Sequence, residues 1–77
     1  MGPKLPRVTG PQVVRALQGC GWYPDRQRGS HVQMRNPDRP GMRVTVPVHA
    51  GETLKLSTLK TILDQAGLST AEFVKLL

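Results

Sequence analysis

The chain has 77 residues, with 11 Lys and Arg against 5 Asp and Glu and a formal net charge of +6. That length allows one small domain burying only about 60% of the surface its unfolded form exposes, which excludes two-domain active sites and dinucleotide-binding folds. At 38% hydrophobic and 21% charged residues the composition is globular, and no apolar run approaches the roughly 18 residues of a membrane span.

The first seven residues, Met1 to Arg7, carry two prolines and two basic groups and no apolar stretch of the signal-peptide kind. Residues 1–8 read as a loose lead-in and residues 9–77 as the single domain. One cysteine, Cys20, cannot form an internal disulfide, which fits a reducing compartment. A cytoplasmic location without membrane contact is expected.

Thr9-Gly10-Pro11-Gln12 has the spacing of a capping box, with Thr9 as N-cap and Gln12 reaching back to its amide. Proline is tolerated in a first helical turn because its missing N–H has no helical partner. Val13, Val14 and Leu17 give an apolar stripe, and Gly19 or Gly21 a stop, so helix one is expected from about Gly10 to Gly19. The period then changes. Trp22-Tyr23-Pro24-Asp25 starts a short strand, and Gln27-Arg28-Gly29 is the expected hairpin turn. From Ser30, Val32 and Met34 alternate with His31, Gln33 and Arg35 in a period of two. Asn36 to Gly41 is dense in turn formers. Met42, Val44 and Val46 alternate with Arg43 and Thr45 in a third strand ending at Pro47.

After His49-Ala50-Gly51 the helical period returns with Leu56, Leu59, Ile62, Leu63 and Ala66, with Ser57 as expected N-cap and Gly67 as C-cap. Ser69-Thr70-Ala71-Glu72 is a second capping box, opening a short final helix with Phe73, Leu76 and Leu77 on its apolar side. The expected fold is α+β: an α-β-β-β-α order with a three-stranded antiparallel meander, both long helices on one sheet face and a short extra C-terminal helix. The opposite face, bearing His31, Gln33, Arg35, Arg43 and Thr45, is left open.

Charge is one-sided. Residues 1–43 hold eight Lys and Arg against two Asp, and residues 44–77 balance three against three. Most of the excess is arginine between Arg26 and Arg43. The planar arginine fork pairs with phosphate oxygens, so a polyanion is the favoured partner, with an acidic protein as rival. Histidine takes and gives protons near neutrality, and His31 sits at the head of a strand behind a glycine turn. RNA brings its own nucleophile, the 2′-hydroxyl. One histidine with arginines to stabilise the pentacovalent phosphate therefore suffices for phosphodiester cleavage without metal. The same residue also reads as a surface histidine without a role. His49 is either a second acid or base or a residue shaping the loop before helix two. Two histidines and a distant cysteine lack zinc-ligand spacing, so no metal and no small-molecule cofactor are expected. Cys20 reads as a small buried residue, and Trp22 and Tyr23 as core or as base-stacking groups. No glycine-rich phosphate loop follows a strand, which excludes P-loop nucleotide hydrolysis.

Gly21-Trp22, Arg26, Gly29-Ser30-His31, Thr45-Val46-Pro47 with His49, Thr58-Leu59, Ile62-Leu63 and Ala66-Gly67-Leu68 together resemble the HicA toxins over about residues 9–73. The resemblance implies a double-stranded-RNA-binding-like fold, ribosome-independent mRNA cleavage, growth arrest and neutralisation by a HicB-type antitoxin. It carries the catalytic histidine onto His31. Many members have a second histidine where Val32 stands here, and glycine where Ser57 stands. Arg26, Arg28, Ser30, Gln33, Arg35 and Arg43 are the candidate RNA-binding residues. The alternative on the same fold is a non-catalytic double-stranded RNA-binding module. A third reading is an adaptor whose basic face meets an acidic protein. Modules of the second kind grip phosphates with lysines at the start of the second helix. Here that helix start offers only Lys55 and Lys60, while the charge sits on the strands beside His31.

Overall fold

Helix α1 (Gly10–Gln18) starts where the expected capping box closes: the Gln12 N–H donates to Thr9 Oγ1 at 3.4 Å, and the Thr9 N–H donates to Gln12 Oε1 at 2.8 Å. The computed structural model describes residues 4–77, so the first three positions of the lead-in at residues 1–8 lie outside the described residues. At the end of that segment Val8 is buried, its carbonyl accepts from the Leu54 N–H at 2.8 Å, and Thr9 forms an isolated bridge with Thr53.

Three strands follow, β1 (Tyr23–Arg28), β2 (His31–Arg35) and β3 (Val44–Pro47), in a single antiparallel sheet of order β1-β2-β3. Helix α2 (Leu56–Ala66) and helix α3 (Thr70–Lys75) complete the chain. This is the expected α-β-β-β-α layout with its extra C-terminal helix. Val32, Met34, Val44 and Val46 on one face of β2 and β3 form a single core with Val13, Ala16 and Leu17 of α1 and Leu59, Ile62 and Leu63 of α2. Both long helices therefore cover the same sheet face. Phe73 of α3 is fully buried, so the short last helix is part of that core.

Several boundaries depart from the sequence reading. Gln27 and Arg28 belong to β1, and only Gly29 and Ser30 make the turn, because glycine at φ 56° allows a two-residue reversal. Met42 lies outside β3 and is exposed, since its N–H closes the preceding turn on the Arg39 carbonyl at 3.1 Å and the strand starts only at Val44. Ser57 is inside α2, not its cap; Lys55 holds the cap position with no side-chain hydrogen bond, and the Ser57 carbonyl instead accepts from Thr61 Oγ1 at 3.1 Å. The stop of α1, by contrast, falls on both glycines expected for it: Gly19 caps the helix while still right-handed, and Gly21 takes the positive φ of 97°. The glycine at the end of α2, Gly67, is the left-handed C-cap the sequence calls for.

β1 is exposed at all six residues. The helices cover β2 and β3 and leave both faces of β1 to solvent. Trp22, immediately before it, is 3% exposed and anchors the strand to the core, while Tyr23 is 45% exposed. The alternation of a half-buried strand is accordingly missing from Tyr23–Arg28, where Pro24 and the charged neighbours mark an edge.

Candidate active site

His31 is the first residue of the central strand. The two-residue turn pairs it with Arg28 on one side, and the β2–β3 register pairs it with Pro47 on the other. The pairing continues one step further, with the Val48 N–H donating to the Ser30 carbonyl at 2.6 Å. The backbone that carries His31 is therefore held from both sides, while its imidazole stands on the face away from the core. Residues paired across strands share a face, so the open surface is built in rows. Arg28, His31 and Pro47 form the first row, and Arg26, Gln33 and Thr45 the next. Tyr23 and Arg35 form the last.

The candidate RNA-binding residues do not all stand alike. Arg26 and Arg28 are exposed and, among the described residues, have no ion pair or side-chain hydrogen bond. Arg43, just before β3, donates to Gln33 Oε1 at 3.1 Å, which ties two candidates together in the middle of the face. Arg35 is engaged by Asp25, with Nε to carboxylate at 3.6 Å. Asp25 reaches it because a register shift between Pro24 and Arg26 inserts it as an extra residue in β1. Ser30 lies in the turn beside His31, half-buried, with its carbonyl committed to Val48. Uncompensated positive charge is thus concentrated at the His31 end of the face, and compensated charge at the Tyr23 end.

His49 is exposed two residues beyond Pro47, and its carbonyl accepts from the Glu52 N–H at 3.1 Å, closing the turn that leads toward α2. With Pro47, Lys55 and Thr58 it borders an open concavity of about 330 Å³ adjoining the His31 row. Among the described residues no three of His, Cys, Asp and Glu gather closely enough to hold a metal ion.

Two residues that sequence reasoning passed over position this site. Asn36, 8% exposed, donates from Nδ2 to the Cys20 carbonyl at 3.4 Å, accepts from the Asp38 N–H at 2.9 Å and lies against Gly21. It fixes the end of β2 to the end of α1. The signal was an asparagine at a strand end before Pro37, read there only as a turn former. Gly10 packs its backbone on Pro47 and Val48, where any side chain would meet the Pro47 carbonyl. Its position in a capping box concealed that second role. Cys20 is half-buried and donates from Sγ to the Leu17 carbonyl at 3.3 Å; burial, then the Glu72 carboxylate, push its thiol pKa up.

A family model for the HicA toxin of bacterial toxin–antitoxin matches residues 10–68, which takes in α1, the whole sheet and α2. No curated protein is similar enough to the chain to be matched.

Proposed function

The chain belongs to the HicA toxin family of bacterial toxin–antitoxin systems, and on that premise we propose that it is an mRNA interferase, an endoribonuclease that works without a metal ion and uses His31 as its general acid/base. The observation that carries the reading is the seating of His31: first in the central strand, held between Arg28 and Pro47, on the uncovered face with unpaired arginines beside it.

The chemistry follows from the substrate. The 2′-hydroxyl oxygen of a ribose attacks the adjacent phosphorus, and the P–O5′ bond breaks. The products carry a 2′,3′-cyclic phosphate and a 5′-hydroxyl. The His31 imidazole takes the 2′-hydroxyl proton or delivers one to the leaving 5′-oxygen. Arg26 and Arg28 supply positive charge where the phosphoryl oxygens gain negative charge in the transition state. Gln33, Ser30, Arg35 and Arg43 extend the same face along the strand of RNA. mRNA cleavage puts the work of the protein in the cytoplasm, and no helix among the described residues is long and apolar enough to cross a membrane.

A toxin–antitoxin system implies a neutralising antitoxin. We propose a HicB-type protein whose acidic surface covers the His31 face, because one contact there both screens the arginines and excludes RNA. Cleavage of a long single-stranded RNA in EDTA, with His31→Ala alongside, tests the nuclease reading. Cleavage by the parent and none by the variant supports it. Binding by both without cleavage by either makes the protein a non-catalytic RNA-binding module.

A further inference from the structure

We propose that Tyr23 and Arg35 form a base-stacking subsite at the far end of the open sheet face, which makes unpaired RNA the substrate and places one stacked base about 13 Å from His31, the length of four residues of β2. The inference rests on the reading of the protein as a ribonuclease.

The two adjacent aromatic residues have separate fates. Trp22 is 3% exposed and belongs to the core, whereas Tyr23 is 45% exposed and lies outside the core cluster. Tyr23 and Arg35 are register partners at the end of the β1–β2 ladder, on the face that bears His31. Directly opposed residues on one face have Cβ atoms about 5 Å apart, so the ring and the guanidinium share one patch. Both groups are planar, and both stack on nucleobases.

Charge distinguishes this end from the other. Asp25 pairs with Nε of Arg35 at 3.6 Å, so the pair is close to neutral and a phosphate gains little there. Arg35 keeps about a third of its side chain open to solvent in this pair, so the guanidinium is still accessible to a ligand. At the His31 end Arg26 and Arg28 are uncompensated. A chain with its phosphate at His31 and a base over Tyr23 meets charge where it is charged and a flat, neutral patch where it is flat and apolar. A base inside a duplex cannot offer its face in this way, so the subsite selects unpaired RNA.

The test uses the full chain carrying His31→Ala, so that RNA survives, and a short single-stranded oligoribonucleotide with 2-aminopurine placed at each position in turn. Binding is expected to change the fluorescence strongly at one position. Tyr23→Leu is expected to remove that change and weaken binding about tenfold, the scale of one base–aromatic stack, while Tyr23→Phe keeps both. With His31 intact, kcat/KM is expected to fall in Tyr23→Leu by a similar factor. Undiminished binding and cleavage by Tyr23→Leu overturns the subsite alone and leaves the nuclease standing. Equal dependence of duplex RNA on Tyr23 also overturns it, as does a loss confined to antitoxin capture, which assigns Tyr23 to a protein contact. No binding and no cleavage by the parent overturns the nuclease reading and the subsite with it. Melting curves of each variant confirm the fold, which the exposure of Tyr23 leaves intact.

Discussion

His31 faces Pro47 across β2 and β3, and the carbonyl of Pro47 occupies the place where a side-chain carbon on Gly10 would have to stand. The start of α1 is thus set backbone against backbone on the end of β3, the strand paired with His31 of β2. A Gly10→Ala substitution forces these apart and is expected to cost about 1–3 kcal/mol, as overpacking does. For a domain of this size each kcal/mol lowers Tm by about 4–8 °C. Melting followed by circular dichroism measures the loss. An unchanged Tm means that α1 moves freely against β3.

His31 is exposed and has no side-chain partner among the described residues. Replacing it by Ala or Gln is therefore expected to leave stability within about 0.5 kcal/mol of the parent. Cleavage is expected to fall by about 10² to 10⁴, the usual worth of a positioned general acid or base. A variant that melts like the parent and still cleaves at the parental rate assigns the proton transfer elsewhere, with His49 the next residue to replace.

Arg26 and Arg28 differ from Lys60, which is exposed on α2 behind the covered side of the sheet. Neutralising one phosphate contact lowers the slope of log K against log salt by about 0.7 for single-stranded RNA. Arg26→Ala and Arg28→Ala are each expected to weaken binding and reduce the slope by about that amount, with Lys60→Ala unchanged. Titrations at several salt concentrations measure it. Equal effects at all three positions indicate diffuse attraction to a basic protein.

Much of this architecture is legible residue by residue. Thr9 with Gln12, Ser69 with Glu72 and Gly67 each combine residue type and spacing in a way one local geometry satisfies, and those helix ends stand where the sequence puts them. The alternation of Val32 and Met34 with His31, Gln33 and Arg35 likewise defines which face of β2 is open. Local pattern fails where a partner distant in sequence decides. Gln27 and Arg28 read as turn because neither is apolar, yet they pair with Val32 and His31 in an edge strand that needs no buried side. Ser57 is a good cap chemically, but the chain enters α2 two residues earlier. Asp25 meets Arg35 only because β1 carries an extra residue, which no period in the sequence announces. The Asn36 and Gly10 contacts are of the same kind, since each joins segments that only the tertiary fold brings together.

Cys20 donates its thiol hydrogen to the Leu17 carbonyl, and burial followed by the Glu72 carboxylate raises its pKa. The thiolate is the nucleophile in alkylation, so the folded protein is expected to react with iodoacetamide at neutral pH more slowly than a free thiol does. The rate should rise with pH and become ordinary in denaturant. Mass spectrometry of timed samples reads it. Equal rates folded and unfolded remove the carbonyl contact and the burial as causes.

Glu72 closes the box at the head of α3, where its carboxylate accepts from the Ser69 N–H at 2.9 Å, and the Ser69 hydroxyl accepts from the Glu72 N–H at 3.1 Å. These hydrogen bonds, the backbone one foremost, hold its pKa below the ordinary glutamate value, and Lys75 adds to the shift. A carboxyl whose folded pKa is depressed stabilises the fold fully above its unfolded pKa, and that contribution is lost as pH falls through the folded value. Phe73, the next residue, is fully buried, so fraying at this box reaches the core. Glu72→Gln keeps an oxygen acceptor and removes the titration. Parent and variant are therefore expected to differ in Tm at neutral pH and to converge as the pH drops below the ordinary carboxyl range. Parallel melting curves across that range, with no convergence, mean that the Glu72 charge contributes nothing to the anchoring of α3. Phe73→Ala gives the scale of that anchoring, since deleting a fully buried ring costs about 3–5 kcal/mol.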